Sequence, residues 1–154
     1  MVGEEMKIQK PKSRPEKALN FETGSLEPEE IEAILNALPV DLTFVDAEDT
    51  VRYFSKSEGR VFPRTKAVIG RKVQQCHPPK SFHVVNQVVN DLKKGRRKSA
   101  DFWIDMNQSK IYIRYFPVRN KKDEYLGCLE VTQDITPIKQ IEGERRLLNE
   151  TQSA

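Results

Sequence analysis

The sequence predicts an α+β fold: a five-stranded antiparallel sheet with short helices on one face and a helix at its C-terminal end. Three observations carry that expectation. Stretches rich in β-branched and aromatic residues fall into two groups, a pair between Val40 and Ser55 and a trio after Ala100. Apolar stripes with helical spacing lie before the pair and between the two groups. The links within each group are short and polar, which favours hairpins, and helices gathered in blocks apart from the strands suit the cover of one face of an antiparallel sheet.

Taken in order, the first of these elements is a helix. Pro28 suits its first turn, and Glu27, Glu29 and Glu30 complement its positive end. Ile31, Ile34, Leu35 and Leu38 then form one apolar stripe, and Pro39 ends it, because the residue before a proline is pushed out of the α region. Val40 to Asp46 and Val51 to Ser55 read as strands joined by Ala47-Glu48-Asp49-Thr50, where Asp49 tolerates a left-handed conformation. From Lys56 to Cys76 the pattern breaks into helical turns and loops, and His77-Pro78-Pro79 interrupts any helix there. Ser81 suits the N-cap of a longer helix with Phe82, Val85, Val88, Val89 and Leu92 on its apolar side, ending at Gly95. The cations Lys93, Lys94, Arg96, Arg97 and Lys98 then suit its negative end.

Three further strands follow. Ala100, Phe102, Ile104 and Met106 alternate with Asp101, Trp103 and Asp105; Ile111, Ile113 and Tyr115 alternate with Tyr112, Arg114 and Phe116; Tyr125 to Gln133 is the last. Ile138, Ile141 and Leu148 suggest a terminal helix. Residues 1–24, basic and poor in apolar side chains, read as a flexible tail, residues 25–137 as the folded domain, and 138–154 as the terminal helix.

Composition narrows the function. A chain of 154 residues with 26 basic and 23 acidic side chains, net +3, gives no charge argument for nucleic acid. No run reaches the roughly 18 apolar residues of a membrane span, and no apolar signal region opens the chain, so a cytoplasmic location is expected. Cys76 and Cys128 are too few for a disulfide framework or a four-cysteine zinc site. No P-loop, dinucleotide-binding glycine motif or supported catalytic triad occurs, so a non-enzymatic role is expected.

Several short segments, in order, resemble the PAS domain family over residues 27 to 137. Val45 to Val51 looks like the first hairpin, with Asp46 at the usual aspartate; Ile69-Gly70-Arg71 followed by His77-Pro78 resembles the segment before the long helix. Phe116-Pro117-Val118 and Tyr125-Leu126-Gly127 resemble the last two strands, and Asp134-Ile135-Thr136 resembles the D-I-T signature at the exit of the domain. The run Cys76 to Ser81, with Phe102-Trp103 and Leu129-Glu130-Val131, is similar to a subgroup that often follows a hemerythrin-like domain, although two histidines cannot supply a di-iron hemerythrin site. Asp49, Ser55 and Pro79-Lys80 depart from the residues common there, and the cysteine motif of flavin-binding light sensors does not occur.

The resemblance implies a sensory module in which a pocket between sheet and helices binds a small apolar ligand or a partner; the alternative is a protein-interaction module that dimerises with no ligand, its cavity filled by side chains. Relay would pass to the exit segment, with Asp134, Thr136, Ile138, Ile141 and Leu148 as the signalling residues. A homodimer and a separate signalling partner are the expected associations. The aromatic candidates to line the pocket are Phe44, Phe54, Phe102, Trp103 and Tyr115; His77, Cys128 and Glu130 complete the set. Glu130 lies in an apolar strand and is expected to face solvent, with Arg114 the obvious partner if both share a face. His77 invites a heme or metal reading assisted by Cys76 or His83, and Cys76 a redox one. Two histidines across a proline break have no fixed geometry, so a structural role in the turn is preferred, and neither heme nor flavin is supported.

Overall fold

A computed structural model describes residues 14–148 of the chain. Strands β3 (Asp41–Asp46), β4 (Val51–Phe54), β5 (Ala100–Met106), β6 (Ser109–Arg119) and β7 (Tyr125–Asp134) form one antiparallel sheet in the order β4-β3-β7-β6-β5. The last strand in sequence is therefore the middle strand in space. The five expected strands and the α+β class are borne out.

The turns follow residue chemistry. Asp49 takes a left-handed φ of 66° between β3 and β4, and Asn107 and Gln108 take φ of 50° and 65° between β5 and β6. Positive φ at both central residues is what the right-handed twist of a tight two-residue hairpin requires. Gly127 has φ 156°, and a Cβ there would sit 2.1 Å from the Val45 carbonyl oxygen and 2.8 Å from the Phe44 ring. Only glycine lets β3 and β7 approach this closely.

Helix α1 (Pro28–Ala37) begins and ends where Pro28 and Pro39 place it. Glu30 accepts a 2.9 Å hydrogen bond from the Glu27 amide, closing a capping box. None of its residues is buried, and Ile34 and Leu38 of its apolar stripe stay exposed, so it adds nothing to the buried core. Helix α2 (Phe82–Lys93) supplies the tighter cover. Val88, Val89 and Leu92 are buried, and Val88 and Leu92 pack with Ala100 and Cys128 against Tyr115. Arg119 from β6 donates to the Leu92 and Lys93 carbonyls at 3.3 and 3.0 Å, so the helix end is satisfied by a residue distant in sequence. Of the neighbouring cations, Arg96 and Arg97 pair with Asp91 and Lys93 with Asp49.

Two boundaries differ from expectation. The tail expected over 1–24 ends earlier, because β1 (Leu19–Phe21) and β2 (Gly24–Leu26) form a separate hairpin. Gly24, at φ 143°, takes its place opposite Phe21, and Glu22 pairs with Lys121 at 3.0 Å. Leu19 and Phe21 remain about half exposed, so the hairpin rests on its backbone ladder and shows no burial signal. Residues 1–13 lie outside the described residues. Among the described residues, the terminal helix expected over 138–154 begins as the single turn α3 (Thr136–Lys139) and is then interrupted. Gly143 takes a left-handed φ of 62° that a helix cannot continue through, and Ile141 is largely exposed. Residues 149–154 lie outside the described residues.

Gly127→Ala is expected to destabilise the domain by about 1–3 kcal/mol, the usual range for a forced overlap between packed elements. Urea unfolding measures this as a drop in midpoint at unchanged slope.

Candidate ligand cavity

The segment between β4 and α2 forms a roof over the sheet. Three single helical turns, Lys66–Val68, Val73–Cys76 and Pro79–Ser81, follow one another there. Its middle is bound to the sheet edge: Val51 N–H donates to Arg71 O, Gly70 N–H to Val51 O and Val73 N–H to Asp49 O, at 2.8–2.9 Å. The first part is held by Asp41, whose carboxylate accepts from Ser57 Oγ at 2.5 Å and from the Val61 amide at 2.7 Å. Ser55, wholly buried, accepts from the Leu42 amide at 2.9 Å. The far end is joined to α2 by Gln74, which donates to Asn86 Oδ1 at 2.7 Å.

Beneath this roof lies a cavity of about 280 Å³, just under the roughly 300–1,000 Å³ typical of ligand pockets. Most of its wall is apolar, from valines of β3, β4 and α2 together with Phe102 and Ile113. The polar exception is concentrated on the sheet. Thr43 on β3 and Tyr115 on β6 are direct cross-strand neighbours of Glu130 on β7, so the three side chains form a row across the centre of the cavity face. Arg64 reaches down from the roof and donates to Glu130 Oε1 at 3.1 Å, with both side chains largely shielded. The Tyr115 hydroxyl also bonds to Glu130, and burial raises its pKa well above the ordinary phenol value.

Five of the eight candidate residues line the cavity: His77, Phe102, Tyr115, Cys128 and Glu130. Phe102 packs edge-on to Tyr115 at 6.1 Å near the open edge. Burial pushes the Cys128 thiol up to about 12, so it is a protonated wall residue at neutral pH. The other three do not line it. Trp103 is 65% exposed and lies on the opposite face of the sheet, in the parity that separates it from Phe102. Phe44 alternates with Thr43 and Val45 and packs toward Gly127 on that opposite face. Phe54 lies beneath the Arg60 guanidinium, 5.4 Å from its ring centre.

Glu130 is buried rather than solvent-facing, and its partner is Arg64 rather than Arg114. Arg114 pairs across with Val131 and sits on the opposite face, over the rings of Tyr112 and Phe116. Arg64 and Thr43 were not among the expected site residues. Thr43 shares strand parity with Val45 and was within reach of the alternation; Arg64, in an irregular stretch, carries no local signal.

His77 follows the Val73–Cys76 turn with extended backbone, φ −118° and ψ 151°, and its ring is part of the cavity wall. Burial holds its pKa below the ordinary 6.5, opposed by the nearby Glu130 charge. No group of three histidine, cysteine or acidic residues among the described residues is placed to hold a metal ion. No helix among them is long and apolar enough to cross a membrane.

β7 leaves the cavity wall for the exit turn. Asp134 Oδ1 accepts from the Thr136 amide at 2.9 Å, Thr136 Oγ1 accepts from the Lys110 amide at 2.8 Å, and the Ile135 amide donates to Lys110 O at 2.9 Å. The Thr136 hydrogen bonds lower the Asp134 pKa. Asp-Ile-Thr thus ties the end of the central strand to the start of β6.

A PAS domain family model matches residues 31–136 of the chain. The chain belongs to the PAS domain family. Among solved structures, a C-terminal domain from Streptococcus mutans is 34% identical with a TM-score of 0.77, over 81% of this chain and 97% of that one. The PAS domain of a Colwellia psychrerythraea protein is 16% identical with a TM-score of 0.55, over 71% of this chain and 97% of that one. A sensory box sensor histidine kinase from Vibrio cholerae is 13% identical with a TM-score of 0.50, over 69% and 90%. No curated protein matches the chain.

The His77 shift sets a sign for pH dependence. With its folded pKa lowered, the folded state binds fewer protons than the unfolded chain, so stability falls as pH drops below 6.5 toward the folded value. His77→Gln is expected to flatten the first part of this decline in Tm against pH; superimposable profiles would show that His77 does not contribute.

Proposed function

We propose that this PAS domain is a non-enzymatic cytoplasmic sensory module whose cavity binds a small, mainly apolar ligand, and whose exit segment passes the bound state to a second copy or a separate partner. One observation carries the reading. The strand that presents Cys128 and Glu130 to the cavity is the same strand that runs into the Asp134–Thr136 exit turn.

Occupancy can act on this arrangement through the Arg64–Glu130 contact, which joins the roof to β7. A ligand shifts the equilibrium between two arrangements only if it binds one better than the other. Here the two would differ in how the roof bears on β7, and the difference would reach Thr136 through the Asp134 carboxylate. Ile138, Ile141 and Leu148 are exposed apolar side chains on the exit segment, and burying them against a second copy is the simplest route to a homodimer.

Native mass spectrometry of the full chain, with an absorbance spectrum of the same sample, tests the reading. A small organic molecule retained in proportion to protein, without a Soret or flavin band, is the expected result. A Soret band lost in His77→Ala would replace it with a heme site. Ile141→Asp combined with Leu148→Asp is expected to weaken the dimer at least about tenfold, as removal of paired apolar anchors does at small interfaces. Sedimentation equilibrium reads this, and an unchanged mass would remove the exit segment from the interface.

A further inference from the structure

If the cavity is a ligand site, as proposed above, its mouth decides which end of a ligand stays in water. Three of its lining residues are exposed: Lys80 in the Pro79–Ser81 turn, Val84 in the first turn of α2 and Phe102 on the edge strand β5. Val84 is 56% exposed and Phe102 38%, while the rest of the lining is buried or half-buried. The cavity therefore opens between the start of α2 and β5. Val84 and Phe102 make the rim apolar, and Lys80 is its one charged residue. An exposed lysine that still lines an apolar cavity lays its methylene stem along the wall and keeps its ammonium in water.

The charges deeper in the cavity are already balanced. Arg64 and Glu130 pair within the protein, and His77, held below its ordinary pKa by burial, is neutral at neutral pH. An ion carried to that depth meets no uncommitted counter-charge, and burying it unpaired is strongly unfavourable. Lys80 differs. Among the described residues no ion pair or hydrogen bond holds its ammonium, whereas Lys93, Arg96 and Arg97 at the other end of α2 are all paired. Pro78 and Pro79 restrain the backbone that carries it. The uncommitted charge of the lining is thus a cation at the rim, where an anion can meet it and remain hydrated. One ammonium matches a monoanion such as a carboxylate; no second free cation lines the mouth to balance the extra charge of a phosphate monoester.

We propose that the cavity takes a single-chain carboxylate, with its apolar tail among Val45, Val88 and Ile113 and its carboxylate at the rim against Lys80. Tail length then sets the affinity, and Lys80 sets the sign of the head group.

The test uses the full chain at neutral pH and low salt, titrated with hexanoate, octanoate and octylammonium while amide chemical shifts are followed. Each buried methylene is worth about fourfold in affinity, so octanoate is expected to bind at least about tenfold more tightly than hexanoate, with shifts at Val45, Val88 and Ile113. The exposed ion pair is screened, so the head group counts for less: octanoate is expected to bind about fivefold more tightly than octylammonium. Lys80→Gln should bring that ratio close to one, Lys80→Glu should reverse it, and Lys80→Arg should keep it. Lys80 is exposed, so these variants retain the fold. Octylammonium bound as tightly as octanoate by the unaltered chain, or a ratio that Lys80→Gln and Lys80→Glu leave unchanged, would overturn the head-group assignment while leaving the cavity a ligand site. No shift at the cavity amides with any of the three probes would overturn the ligand-site reading and this inference with it.

Discussion

A carboxyl group on the middle strand of a sheet, facing the core, has to be partnered. Glu130 meets that constraint with Arg64, a residue 66 positions away, at 3.1 Å. The pair does more than satisfy two charges. It holds the irregular segment after β4 over the sheet and leaves a partly open cavity beneath it. Breaking such a pair by removing one partner costs far more than the net worth of the pair, because the other charge stays buried. The arrangement thus favours one roof position over its alternatives.

Much else is built to deliver Arg64 to that point. Asp41 holds the Ser57 hydroxyl and the Val61 amide, Arg60 donates to Ser55 O and lies on the Phe54 ring, and Ser55 closes back on Leu42. On the other side, Gly127 permits the close approach of β3 and β7 that sets Thr43 beside Glu130. The cavity is the space left when these contacts are made, and α2 closes it with Val88 on the inner wall.

The sheet was legible in the sequence because alternation and turn chemistry are local. Helix α1 was legible too, since Pro28 and Pro39 act on their own neighbours. The same alternation separates Phe102 from Trp103 and Thr43 from Phe44; aromatic character alone, applied to the cavity, placed Trp103 and Phe44 on the wrong face. The Glu130–Arg64 pairing was not legible. It depends on how a stretch without periodicity folds back over strands that pair later in the chain, and no local pattern encodes that. The β1–β2 hairpin escaped notice because it buries little, and the spacing between Ile141 and Leu148 says nothing of the left-handed turn at Gly143 that interrupts the expected helix between them.

The roof and the central strand are joined through Glu130 and Arg64. A double-mutant cycle measures that directly: Glu130→Gln, Arg64→Met and the double variant, each unfolded in urea at neutral pH. A coupling energy of about 1–3 kcal/mol is expected, the upper part of the range for residues in direct contact in one network. Additive single effects, with coupling indistinguishable from zero, would contradict it.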